Sequence, residues 1–149
     1  MDFAPIVASL PLPLPLLHAI PTLLMTGVIW IIQVVHYPLY RRVGADAFAD
    51  YEREHCARIS FVVLPLMVAE LACATLLALS PPRGGESLAW TGLALLAVVW
   101  ASTFFVQVPC HRVLERGFDA RAASRLVATN WIRTVAWTLR SLVAIALLA

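Results

Sequence analysis

The stretch that decides the fold is Leu16–Arg42, "LLHAIPTLLMTGVIWIIQVVHYPLYRR". It runs without a formal charge until Arg41 and Arg42, the first positive charges of the chain, and just before them it places Gln33, His36, Tyr37 and Tyr40. About 20 mostly apolar residues suffice to carry a helix across a bilayer, and this segment supplies them. Its polar end has two readings. Polar and aromatic side chains gather where a membrane helix meets water; alternatively the chain builds a site there, and then other segments must bring matching residues to the same depth.

The whole chain has the character of this segment. Its 149 residues are 61% hydrophobic and 13% charged, with a mean hydropathy of +0.83, against roughly 45 to 50% apolar and about 25% charged for a soluble domain. Four stretches qualify as spans, at residues 15–40, 59–80, 88–110 and 127–148. The expected fold is all-α: an integral membrane four-helix bundle forming a single domain over residues 1–149. Asp2 and the absence of Lys or Arg before Arg41 leave no basic region of the kind that opens a cleavable signal peptide, so the first helix is expected to stay in the mature protein. "PLPLPLL" at residues 11–17 removes backbone donors at alternate positions, which makes residues 1–14 an interfacial lead-in.

All eleven positive charges are arginines, and their placement sets the topology. Arg41, Arg42, Arg53 and Arg58 follow the first span; Arg112, Arg116, Arg121 and Arg125 follow the third; the turn between the second and third holds only Arg83. Positive charge collects on the cytoplasmic side. Both long connections are therefore expected inside and both termini outside, in a bacterial inner membrane. Asp46, Asp50, Glu52, Glu54, Glu115 and Asp119 share those connections. The net charge of +2 is thus spread over a mixed-sign, solvated surface, which excludes nucleic-acid binding. Cys56, Cys73 and Cys110 have no CxxC spacing and read as structural thiols, since disulfides are rare in the cytoplasm.

A weak internal repeat is also present. Trp30, Gln33, Pro38, Gly44 and "HCAR" (His55–Arg58) are followed in the same order by Trp100, Gln107, Pro109, Gly117 and "NWIR" (Asn130–Arg133). This order predicts two similar helical hairpins of the same orientation, with the second and fourth helices starting in the connections.

The topology puts His36, His55 and His111 at one level. Trp100, Thr103, Gln107 and His111 recur at three- and four-residue steps and so share a helix face; Gln33, His36, Tyr37 and Tyr40 do the same on the first helix. The three imidazoles are candidate ligands of a transition metal, or two of them, His36 and His111, of a haem, with Gln33, Tyr37 and Gln107 against that cofactor. No HExxH or similar ligand spacing occurs, and interfacial hydrogen bonding alone accounts for any single histidine. Arg58, Asn130 and Arg133 are candidates to orient a substrate's polar head. His18 lies roughly 27 Å along a helix from His36 and is excluded from this group. Deeper in the bilayer, Glu70 and Arg140 need partners, because a charge there costs on the order of 2.5 to 3.5 kcal/mol; they are expected to pair.

The four spans, and a first helix that closes on a proline-containing polar end followed by "RRVGADAFADY", resemble small bacterial four-span membrane proteins and are loosely similar to the anthrone oxygenase-like group. That resemblance implies a membrane-embedded enzyme handling hydrophobic, aromatic substrates. Two functions follow. One is a membrane oxidoreductase with a metal or haem site at the cytoplasmic face and a lipid-soluble substrate. The other is a non-enzymatic component, a small transporter or assembly factor, that uses the same groups to hold an ion or a partner. Gly27 and Gly92 lack a GxxxG partner, so no dimer face is indicated.

Overall fold

The computed structural model describes residues 3–149, with the backbone alone at Ala4; Asp2 lies outside the described residues. A short helix, Ala4–Ala8, precedes Pro13, whose φ of −53° and ψ of 133° set it at the start of the first long helix. Four long helical segments follow: α1, Leu14–Arg42; α2, Ala45–Leu79; α3, Glu86–Leu114; and α4, Ala120–Ala146. No strand occurs among the described residues. The first three are long and apolar enough to cross a membrane. In α4 the apolar run is interrupted by Asn130, Arg133, Thr134, Arg140 and Ser141, all of them buried.

The distribution of side chains is inverted relative to a soluble protein. Phe61 and Phe105 are 83% and 79% exposed, while Thr22, Gln33, Glu70, Asn130, Thr134 and Arg140 are 3% exposed or less. Such surfaces are compatible with a lipid surround, where apolar side chains need no covering and polar ones must find partners inside. Helix α1 packs on α2 and α4, and α3 packs on the same two; the α2–α3 seam is the most loosely packed of the four. Met25, Ile29, Leu96, Val99 and Trp137 fill the middle.

Both α1 and α3 change pitch at the same place. Each contains one wide π turn, Ile32–His36 in α1 and Thr103–Gln107 in α3, and each π turn ends two residues before a proline, Pro38 or Pro109. Proline removes a backbone donor and its ring crowds the carbonyl four residues earlier, and a π turn is one way a helix absorbs that disruption. Pro21 and Pro65, by contrast, sit inside ordinary α-helix. The matched π turns bring the two halves into a register different from the one expected. The offset relating Pro38 to Pro109 pairs His36 with Gln107 and Tyr40 with His111, rather than Gln33 with Gln107. Helix α4 starts at Ala120 behind Asp119, whose side chain accepts from the Ala122 amide at 2.7 Å. Helix α2 starts behind Gly44 with no side-chain cap.

Candidate functional site

The end of the molecule holding the α1–α2 and α3–α4 connections gathers three histidines, though not as one ligand set. The His36 and His55 rings lie 4.1 Å apart between centroids at 32° to one another, and His55 lies 6.1 Å from His111. At 32° the His36 and His55 rings are tilted against one another. Among the described residues, the ligand atoms that lie close together belong to a different set from the three histidines expected, with His111 common to both. His111 Nδ1 is 2.5 Å from Glu52 Oε1 and 3.6 Å from Cys56 Sγ, and Cys56 Sγ is 3.7 Å from the same Glu52 oxygen. The ligating atoms of Glu52, Cys56 and His111 all lie within 4.8 Å of one another.

Local sequence explains this convergence. Glu52 and Cys56 are one helical turn apart on α2, on the face that also buries Phe48, and His111 comes across from α3 just beyond Pro109. Glu52 is fully buried, although the composition of the connection assigned it to a solvated surface. Its carboxylate only accepts, so His111 donates from Nδ1, and Nε2 accepts from the Tyr37 hydroxyl at 3.0 Å. Both ring nitrogens are thus hydrogen-bonded. His36 Nε2, Tyr40 Oη and Glu52 Oε2 are buried without a partner among the described residues.

The remaining candidates divide. Arg58 is exposed and pairs with Glu54 at 2.6 Å, on the outer surface of α2; it lines a shallow depression with His36 and His55 rather than reaching His111. Gln33 and Asn130 form an interhelical clamp: the Asn130 amide donates to Gln33 Oε1 at 2.8 Å and the Gln33 amide donates to the Val127 carbonyl at 3.1 Å. Gln107 accepts from Ser102 at 2.9 Å and donates to Thr129 at 3.3 Å. Arg133 is 6% exposed and donates through Nη1 to Asn130 Oδ1 at 3.3 Å, while its Nε finds no acceptor among the described residues.

Of these groups, Gln107 and Arg133 border a cleft of about 330 Å³ in the loose α2–α3 seam. Cys56, His111, Tyr37 and Arg133 make its polar end. Ile59, Val63, Met67 and Phe104 make its walls. The stripe Trp100, Thr103, Gln107 and His111 read from the sequence lines one side. Trp100 stacks on Phe104 with centroids 5.3 Å apart, and its indole N–H is buried without an acceptor among the described residues.

A second polar cluster lies at the opposite end. Arg140 donates to Glu70 and to the Gly92 carbonyl, and its Nη2 is 3.1 Å from His18 Nε2. Glu70 and Arg140, expected to pair, are in contact and fully buried. His18 joins them, only 2% exposed and 3.6 Å from Glu70. Eighteen residues from His36 along α1, it sits at the depth of Glu70 because α1 and α2 are antiparallel. Arg140 also lies 5.5 Å from the centre of the Trp137 ring, within range of a cation–π contact.

Comparison with known proteins finds no matching family model, no matching curated protein and no matching solved structure.

Proposed function

We propose that this chain is a membrane-embedded oxidoreductase whose α2–α3 cleft takes a lipid-soluble aromatic molecule bearing a carbonyl or phenolate oxygen. In this reading all four long helices span a bacterial inner membrane as two similar hairpins, with both termini outside and the cleft's polar end near the cytoplasm. The resemblance to the anthrone oxygenase-like group points to the same substrate class.

One observation carries the proposal. Two residues that line the same apolar-walled cleft, Arg133 and Trp100, each carry a buried N–H donor, Nε and Nε1, with no acceptor among the described residues. A buried donor left unpaired costs about 1 to 3 kcal/mol, so a ligand bringing acceptor oxygens recovers that penalty and a hydrocarbon does not. The stacked Trp100–Phe104 pair offers a face for a flat ring. The cleft's volume falls at the lower end of the roughly 300 to 1,000 Å³ usual for small-molecule sites, which suits two or three fused rings. Tyr37 and His111 supply hydroxyl and imidazole groups beside the head.

The test is a titration of the full chain in nanodiscs with a lipid-soluble naphthoquinone, read by tryptophan fluorescence. Saturable quenching is expected, with naphthalene binding at least about tenfold more weakly, because one recovered donor is worth roughly 1.4 kcal/mol or more. Arg133→Met should remove most of that preference. Quenching that never saturates, or equal affinity for the two compounds, would mean that the probe only partitions into lipid.

A further inference from the structure

We infer that Glu52, Cys56 and His111 form a binding site for one divalent transition-metal ion of the zinc and iron class, at the polar end of the cleft. The inference deepens the oxidoreductase reading by naming its cofactor, but it stands on its own geometry. Ligands at about 2.0 to 2.3 Å from a tetrahedral ion are separated from one another by about 3.4 to 3.6 Å. The sulfur is already 3.6 Å from the imidazole nitrogen and 3.7 Å from the carboxylate oxygen. Only the Glu52–His111 contact of 2.5 Å must open, by about 1 Å, a change within the swing of a glutamate side chain.

Charge and chemistry agree with the spacing. A thiolate and a carboxylate together carry two negative charges, which neutralise a divalent ion in a place where an uncompensated charge is expensive. Sulfur, nitrogen and oxygen ligands together favour a borderline ion over magnesium or calcium, which take oxygen alone. Three protein ligands leave a fourth position open, as in catalytic sites. Cys56 and His111 border the cleft and fully buried Glu52 stands behind them, so the open position faces the space assigned to the substrate. Tyr37 touches the far nitrogen of His111; with Nδ1 on the ion, Nε2 carries the hydrogen and donates to the Tyr37 oxygen, the usual way a second group orients a histidine ligand.

The experiment uses the full chain in detergent, stripped with a chelator and titrated with Co²⁺. One equivalent should bind and give a sulfur-to-cobalt charge-transfer absorption. Cys56→Ser should abolish that absorption, whereas Cys73→Ser and Cys110→Ser should keep it. Tyr37→Phe should weaken binding by about 10- to 100-fold, the range for an orienting partner. Alkylation of the native protein checks the same point without a variant: Zn²⁺ should protect Cys56 and leave Cys73 reactive. Failure of Co²⁺ to bind, or an absorption that survives Cys56→Ser, would overturn the site. Naphthoquinone binding measured on the chelator-stripped chain separates the two ideas, since it persists when only the metal assignment is wrong.

Discussion

Separating Glu70 from Arg140 should have one of the largest effects of any substitution in this chain. Both side chains are fully buried and in direct contact, and breaking such a pair by removing one partner costs about 3 to 5 kcal/mol because the other charge is stranded. Glu70→Leu should fall near the lower figure: Arg140 keeps the Gly92 carbonyl, His18 and the Trp137 ring. Arg140→Met should fall near the upper one, because Glu70 is left with His18 alone at 3.6 Å. Removing both charges leaves His18 without Arg140, a loss of about 1 to 3 kcal/mol for one unpaired polar group. The double variant should therefore be more stable than Arg140→Met alone. Single losses near 3 and 5 kcal/mol set against a double loss of about 1 to 3 kcal/mol give a coupling energy of about 5 to 7 kcal/mol, above the roughly 0.5 to 3 kcal/mol usual for residues in contact. Denaturant titration in mixed micelles, followed by helicity, measures all four corners of the cycle. Losses that add to within about 0.5 kcal/mol would refute the reasoning, as they would show that the two residues do not share an interaction in the bilayer.

Four further substitutions probe packing, the clamp and the outer surface. Gly92→Leu should destabilise by about 1 to 3 kcal/mol through overpacking, since even a Cβ there meets Val143 at 3.3 Å; Gly27→Ala, with nothing within 4 Å of its Cβ, should stabilise by roughly 0.5 to 1 kcal/mol by restricting the unfolded chain. Gln33→Leu should cost about 1 to 3 kcal/mol, because it strands the buried Asn130 amide, and the same unfolding assay reads it. Arg58→Ala should change stability by no more than about 1 kcal/mol and leave naphthoquinone affinity intact, as its partner Glu54 is on the exposed surface.

Helical architecture was legible because hydropathy reports directly on what lipid tolerates. The three most apolar spans needed no packing information. The pairing of Glu70 with Arg140 was legible too, since depth can be counted along a helix and two buried charges have few alternatives. The same count brings His18 level with Glu70, on a helix running the other way. The site was harder to read. Glu52 sits among Asp50, Arg53 and Glu54, all exposed, and only its one-turn spacing from Phe48 and Cys56 marks it as the inward member. Cys56 resembled a structural thiol because its partners come from another helix. The register of the two halves turned on π turns, which insert an extra residue per turn and leave no hydropathy signal; the prolines that follow them, Pro38 and Pro109, were the better guide than the glutamines.

The central claim is that a lipid-soluble aromatic with an acceptor oxygen sits in the α2–α3 cleft, and photolabelling tests it most directly. An alkyl benzophenone carries both the carbonyl and the photoreactive group. Irradiated with the full chain in nanodiscs, it should attach to Ile59, Val63, Met67 and Phe104, which wall the cleft, and excess naphthoquinone should suppress those adducts. Adducts concentrated on the outward-facing Phe61 and Phe105, at levels the competitor does not change, would contradict the account.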